Sequence, residues 1–281
     1  MIFEYKVLND SNIREYLLSY YLSKPFIYKL FLEKRIKVNG NNINERFMLK
    51  KGDIISIDEK VEVEYKPLDR KLDIIYEDDH LLVINKPKGI IVHDDNNSLC
   101  NIVSSYYKKK GISCNIYFAH RLDKDTTGII VFVKDHMTLS YFDHFFSTHE
   151  FRREYRLLCM GSLKNKKGTI NKPIGSDRHI NGKYIVSKTG KDSVTHYNVL
   201  KEYHNYSYLS VLLETGRTHQ IRVHMSSIGH PLLGDVLYGS DNKLIDRVAL
   251  HSYKLSYIDP YTKENKELFA SLPKDMELLL K

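Results

Sequence analysis

His120-Arg121-Leu122-Asp123-Lys124-Asp125-Thr126-Thr127-Gly128 runs without a break into Ile129-Ile130-Val131-Phe132-Val133. An unbroken apolar row rich in β-branched residues reads as a buried strand rather than a half-exposed one, which would alternate. A polar cluster at the entrance of such a strand sits where rigid scaffolds present reactive groups. Asp and Thr side chains also satisfy backbone N–H groups in turns, and for this segment alone that structural reading is the stronger.

Working outward, the chain beyond Leu72 is mostly strand-like. Asp73 to Tyr76 and Leu81 to Asn85 flank an Asp78-Asp79 turn as a hairpin, and Tyr155 to Cys159 and Tyr208 to Leu213 form further strands. The clearest helix runs from Thr218 to Ile228, with Ile221, Met225 and Ile228 on one face and Gly229 as its terminator. Lys108-Lys109-Lys110 reads as a solvated loop. The end of the chain, from Tyr257 to Pro273, reads as strand and tail, with Leu255 and Phe269 in the core. Strands with occasional helices and no regular βαβ alternation give an α+β class, a largely antiparallel mixed sheet with flanking helices.

Toward the N-terminus the pattern changes. Asn12 to Lys34 reads as two short helices, the second opened by Pro25, and Ile36 to Ile57 as short strands with turns at Asn39-Gly40 and Gly52-Asp53. Residues 1–66 therefore form a compact front unit, followed by a hinge near Pro67 and a larger domain over 67–281. Between Lys24 and Lys51 eight basic residues face only Glu33 and Glu45, a net charge of +6. Such a run is usually a solvated face.

The 281 residues carry a formal charge of +8 with a pI near 9.1, 42% of them hydrophobic and 28% charged. That balance describes a globular protein and is compatible with a polyanionic partner. No apolar run is long enough to span a bilayer, the start MIFEYKVLND lacks a signal-peptide pattern, and the expected location is the cytoplasm. Cys100, Cys114 and Cys159 are odd in number and form no CxxC pair, so a disulfide framework or cysteine zinc site is not expected. A monomer is assumed.

Three further segments alter the odds for Asp123. Asn85-Lys86-Pro87-Lys88-Gly89 with Val92-His93 lies upstream, then Arg152-Arg153-Glu154-Tyr155. The third, Glu214-Thr215-Gly216-Arg217-Thr218-His219-Gln220-Ile221-Arg222-Val223-His224-Met225, is trailed by Gly229-His230-Pro231 and Gly234-Asp235 to Tyr238-Gly239. In this order the set resembles the RluA-type family of RNA pseudouridine synthases over residues 70 to 275. The resemblance implies that Asp123 is the catalytic nucleophile, that Tyr155 packs on the target base, and that Arg222 pairs with the catalytic carboxylate. It also implies that Arg121, with His120, engages the RNA beside a flipped nucleotide. Thr127, Arg153, Ser193 and Asp94 stand where Ser, Lys, Ala and Pro are more usual, which bears on substrate choice rather than on the reaction. In the front unit, Arg35-Ile36-Lys37-Val38-Asn39-Gly40 with the later Gly52-Asp53 resembles the S4 RNA-binding domain, implying RNA contacts from Lys34, Arg35, Lys37 and Asn39.

The implied reaction breaks the N1–C1′ bond of uridine, turns the uracil and joins C5 to C1′, so no atoms or electrons are exchanged with a second substrate. Neither cofactor nor metal is expected. A carboxylate, a cation that keeps it ionised and an aromatic face are what it needs. Attack on C1′ and deprotonation of the sugar both remain open for the carboxylate. A glycoside hydrolase using Asp123 and Asp125 fits less well, because residues i and i+2 of an extended chain face opposite sides. A zinc site from His219 and His224 has the wrong helical spacing. An inactive RNA-binding module would not need Asp123, Tyr155 and Arg222 together. The expected partner is RNA, with large-subunit ribosomal RNA favoured and transfer RNA the alternative.

Overall fold

A computed structural model describes residues 1–61, 65–148 and 150–281. Its centre is a ten-stranded mixed sheet whose main path runs Lys167–Asn171, Val194–Glu202, Tyr206–Leu213, Arg152–Met160, Leu250–Ile258, Thr127–Val133, Leu81–Lys86, Ile74–Glu77. Neighbours are antiparallel except Thr127–Val133 against Leu250–Ile258, which run parallel over Thr127↔His251 and Gly128↔Ser252. Every side chain of Thr127–Val133 is buried, as its unbroken apolar row requires. Gly128 has φ +107°, and a Cβ there would lie 2.2 Å from the Ser252 carbonyl oxygen. Only glycine lets the two parallel strands meet at the mouth of the polar turn.

The described residues form six α-helices: α1 (Ile13–Ser19), α2 (Lys24–Leu32), α3 (Leu99–Lys110), α4 (His136–Ser147), α5 (Gln220–Ser227) and α6 (Lys274–Leu278). Helix α3 begins with a Ser98/Asn101 capping box and ends at Gly111 with φ +69°. Lys108, Lys109 and Lys110, expected in a loop, form its last turn, where cations complement the helix dipole, and Lys109 and Lys110 pair with Asp69 and Glu77. Beyond the last strand the chain closes with α6 instead of a plain tail. Leu255 is in the core, but Phe269 is about half exposed, its ring under the Lys254 ammonium at 5.0 Å. Burial alternates along its strand, so Phe269 turns outward while Leu268 packs inward. No helix among the described residues is long and apolar enough to cross a membrane.

Residues 1–61 build a four-stranded sheet in the order Ile2–Lys6, Ile54–Asp58, Ile36–Val38, Asn41–Asn42, with α1 and α2 against it. The first strand, Ile2–Lys6, is an addition to the expected pattern. Asn39 and Gly40 both have positive φ, as a two-residue hairpin turn demands. The segment expected to hinge near Pro67 is tied to α3 instead. Leu68 N–H donates to the Asn101 carbonyl, and Asn101 and Ser104 side chains donate to the carbonyls of Lys66 and Tyr65.

One apolar cluster runs from Phe3 and Tyr5 through the central sheet to Ala270, so the front unit shares the main core. Where the two meet, the buried Asp135 carboxylate, which caps α4 through Thr138 N–H, accepts the Tyr5 hydroxyl at 2.9 Å and faces His80 Nδ1 at 2.9 Å. Tyr5 stacks on His80, and Tyr20 donates to the Pro260 carbonyl. A buried carboxylate with every oxygen engaged loses its compensation if one donor goes. Tyr5→Phe is therefore expected to lower unfolding free energy by about 1–3 kcal/mol. Urea denaturation followed by two probes, one in residues 1–61 and one in the main sheet, should give coincident transitions.

Candidate active site

The turn that carries Asp123 is held from behind by two buried cations. Lys86 is fully buried, and its ammonium donates to the backbone carbonyls of Pro87, Lys124 and Thr126 at 3.0, 2.8 and 2.9 Å. Burial pushes its pKa down to about 8, against the opposing pull of the Asp125 and Asp123 carboxylates. Arg247 donates to the carbonyls of Asp125, Val248 and Leu250 while a two-point ion pair fastens it to Asp275. Thr126 N–H closes the turn on the Asp123 carbonyl, and Gly89 N–H binds that of Lys124. The carbonyls of residues 123–126 are thus satisfied internally, and the Asp123 side chain is left to the cleft.

Arg222 reaches Asp123 from the first half of α5. Its Nη1 donates to Asp123 Oδ2 at 3.1 Å, while Nε and Nη2 grip Asp235 at 2.7 and 2.9 Å. Burial works against the charged guanidinium, but hydrogen bonds and the charge of Asp235, then Asp123, hold its pKa above the ordinary value. Asp235 is fully buried beside Gly234, whose φ is +73° and where a Cβ would fall 1.9 Å from the Arg247 carbonyl oxygen. Glycine is obligatory there, and it delivers the carboxylate to Arg222. The Tyr238 ring lies 4.9 Å from the same guanidinium.

Tyr155 joins the site through sheet register. It pairs with Ser252, which pairs with Gly128, so the three stand in line across three strands; a bulge between Glu154 and Tyr155 resets the strand at this point. The ring is buried in the wall of the cleft, and burial raises its hydroxyl pKa. Asp123, Tyr155 and Arg222 line one open cleft of about 550 Å³.

His219 adds a fourth group. It precedes α5 in the left-handed region at φ +56°, which for a side-chain-bearing residue marks a position set by its surroundings. The Tyr238 hydroxyl accepts the Tyr184 backbone N–H at 3.0 Å and shares a hydrogen bond with His219 Nδ1 at 2.9 Å, which orients the ring so that Nε2 faces Asp123 Oδ2 at 3.7 Å. Burial lowers the His219 pKa, with Asp123 pulling the other way, so the neutral ring is favoured near pH 7.

The remaining expected residues separate. Arg121 is exposed at the mouth of the cleft. His120 also borders the cleft, but its ring packs on Phe146, and its nitrogens are sealed from solvent without a well-formed hydrogen bond among the described residues. Burial, with Arg153 nearby, drives its pKa down to about 3, so it remains neutral and is poorly placed to meet phosphate. Asp125 does not line the cleft. His224 spends both nitrogens on Thr195 Oγ1 and the Lys172 carbonyl. In the front unit Lys34 and Lys37 are exposed, whereas Arg35 is turned to Glu33 and the Asp58 carbonyl, and the Asn39 amide braces Asp53 and Ile54 N–H. Asp235, Lys86 and His219 stand inside the sequence motifs, yet nothing in the sequence gives them a part in the site. A glycine before the acid at 234–235 is the one available signal for the first.

A carboxylate paired with a buried arginine thus stands beside an aromatic ring in one open cleft that Arg121, Arg153 and Arg217 also line. The family model described as RNA pseudouridylate synthase matches residues 80–227. The chain is 41% identical over 267 residues to an uncharacterized RNA pseudouridine synthase, YhcT, of Bacillus subtilis (strain 168), covering 92% of this chain and 88% of that one. It is 35% identical to the ribosomal large subunit pseudouridine synthase D of Yersinia pestis, over 92% of this chain and 86% of the other. Among solved structures, human RNA pseudouridylate synthase domain containing 4 superposes with a TM-score of 0.61 at 25% identity, over 72% of this chain and 89% of that one. The chain belongs to the RNA pseudouridine synthase family, in its RluA-type branch, and is an isomerase.

Removing one partner of a buried ion pair typically costs about 3–5 kcal/mol. Arg222→Ala is expected to lower turnover by orders of magnitude and to destabilise the fold, with Arg222→Lys restoring only part because it lacks the planar fork. Asp235→Asn should lower turnover alongside it, although the side chain at 235 is buried and does not line the cleft; wild-type turnover would refute the positioning of Arg222 by Asp235. For His219, Gln retains a hydrogen-bonding group near the Nε2 position and is expected to keep most activity, whereas Ala should reduce kcat about tenfold or more at unchanged KM. Steady-state kinetics on unmodified RNA reads all of these kinetic outcomes.

Proposed function

We propose that this enzyme isomerises uridine to pseudouridine in large-subunit ribosomal RNA, in the cytoplasm and without a cofactor, with Asp123 as the reacting carboxylate. The observation that carries the reading is the 3.1 Å pair of Asp123 with a guanidinium committed to Asp235, on the same cleft as Tyr155. The likeness to large subunit synthase D of Yersinia pestis supports ribosomal RNA over transfer RNA. In this reading the target nucleotide leaves its stack, at a cost of a few kcal/mol, and its uracil rests on Tyr155. Arg121, at the mouth of the cleft, faces the vacated position. His120, with its nitrogens sealed, supports the Phe146 wall rather than the RNA. Arg222 holds the Asp123 carboxylate in place without being consumed, and the His219 ring stands beside it.

Asp123→Asn is nearly isosteric and cannot act as nucleophile or base. It should abolish pseudouridine formation while RNA affinity stays within a few fold; substantial residual turnover on unmodified ribosomal RNA would end the assignment. Asp125→Asn should retain most activity. Mapping pseudouridines in total RNA with and without the gene identifies the position modified.

Residues 1–66 serve in this proposal as an S4-like phosphate clamp, with 67–281 as the catalytic part. Lys34 and Lys37 grip the phosphates, because Arg35 and Asn39 are occupied by the fold. For each phosphate that is no longer neutralised, the slope of log affinity against log salt should become shallower by roughly 0.7–0.9. Lys34→Ala/Lys37→Ala should weaken binding with that shallower slope at unchanged kcat; an unchanged slope would remove RNA binding from the front unit's role.

A further inference from the structure

A second cavity, also about 550 Å³, is separated from the active-site cleft by the turn at 124–127: Lys124 and Thr126 line the cleft, Lys86 and Thr127 the second cavity. Nothing in the isomerisation uses it. Its floor is aliphatic, made by Leu72, Ile90, Leu99 and Ile102. Around it stand Arg70, Lys71 and Lys274, exposed cations that make no ion pair among the described residues. Their neighbours on the same lining are already committed, Lys88 to Asp246 and Arg247 to Asp275. Asn85 donates its amide N–H to Asp73 Oδ2 at 3.0 Å, which leaves the Asn85 amide oxygen and one Asp73 oxygen with acceptor capacity on the wall.

An apolar floor asks for a flat or aliphatic body, three unpaired cations for an anion, and the two acceptors for N–H groups. An acyl anion would meet the first two and leave the acceptors unmet. We propose that this cavity is a second nucleotide-binding site, taking the base on the floor with its N–H edge toward Asp73 and Asn85, and the phosphate among Arg70, Lys71 and Lys274. The inference goes beyond the reaction at Asp123 and does not depend on which RNA is modified. Lys86 and Arg247, which line this cavity, also hold the carbonyls of the turn that carries Asp123.

The test uses the full chain with ¹³C-labelled isoleucine and leucine methyl groups. Leu72, Ile90 and Ile102 report on the second cavity, and Leu213 and Ile221 on the cleft. Uridine 5′-monophosphate and a short single-stranded oligoribonucleotide are titrated separately. The cavity methyls should move with a dissociation constant in the millimolar range or tighter, and on a binding curve distinct from that of the cleft methyls. Arg70→Glu/Lys71→Glu, both on exposed side chains, should weaken that curve about tenfold or more while leaving the cleft curve in place. Movement with both probes assigns the site to free nucleotides; movement with the oligoribonucleotide alone assigns its occupant to the RNA strand. Cavity methyls that stay still with both probes, or shifts unaffected by the charge reversal, overturn the proposal.

Discussion

A single guanidinium shared by two carboxylates underlies the site. Asp235 takes Nε and Nη2 of Arg222 in a planar two-point grip, and that grip leaves Nη1 with only one direction to point. Asp123 lies in that direction. Taking a charge out of water is expensive, so the arrangement is stable only because two acids flank the one base and the Tyr238 ring covers it. The local oddities of the chain around it follow. Gly234 must be glycine to bring Asp235 in, and the left-handed His219 turns the chain from the Tyr206–Leu213 strand into α5 so that Arg222 faces the cleft.

On the other side of Asp123 the logic is inverted, with cations binding carbonyl oxygens instead of carboxylates. Lys86 and Arg247 between them hold the carbonyls of Lys124, Asp125 and Thr126. A neutral donor could satisfy one such group; an ammonium with three protons satisfies three at a point. The cost is a lysine whose pKa is pushed down to about 8 by burial, so charging it opposes folding below that pH and the opposition fades between about 8 and the ordinary lysine value. Rigidity of the turn is what that cost secures, and it sets where the Asp123 carboxylate meets Arg222.

The front unit is bound to the rest by a buried acid as well. Asp135 caps α4, receives the Tyr5 hydroxyl and faces His80, within a tier of aromatic rings that includes Tyr20 and Tyr261. An interface of this kind has one satisfactory geometry, because any shift leaves the carboxylate unsatisfied in an apolar setting. The front unit, with its exposed Lys34 and Lys37, is therefore held to the main sheet in one arrangement.

Much of this was legible in the sequence. The buried strand Ile129 to Val133, the hairpin around Asp78-Asp79, both front helices, the Asn39-Gly40 turn and the helix ended by Gly229 all declare themselves by periodicity or by residues with few backbone options. The family resemblance of the motifs likewise singled out Asp123, Tyr155 and Arg222. What it could not reveal depends on contacts between residues far apart in the chain. Asp235 is 112 positions from Asp123, and nothing local says that one arginine joins them. The sealing of His120 against Phe146, the turning of Arg35 to the Asp58 carbonyl and the stitching of residues 65–68 to α3 are of the same kind. Residue type and spacing set which conformations a segment can adopt, because sterics and hydrophobic period act over a few residues. Which polar group meets which is settled by desolvation, since a buried charge takes the partner the completed fold brings within reach.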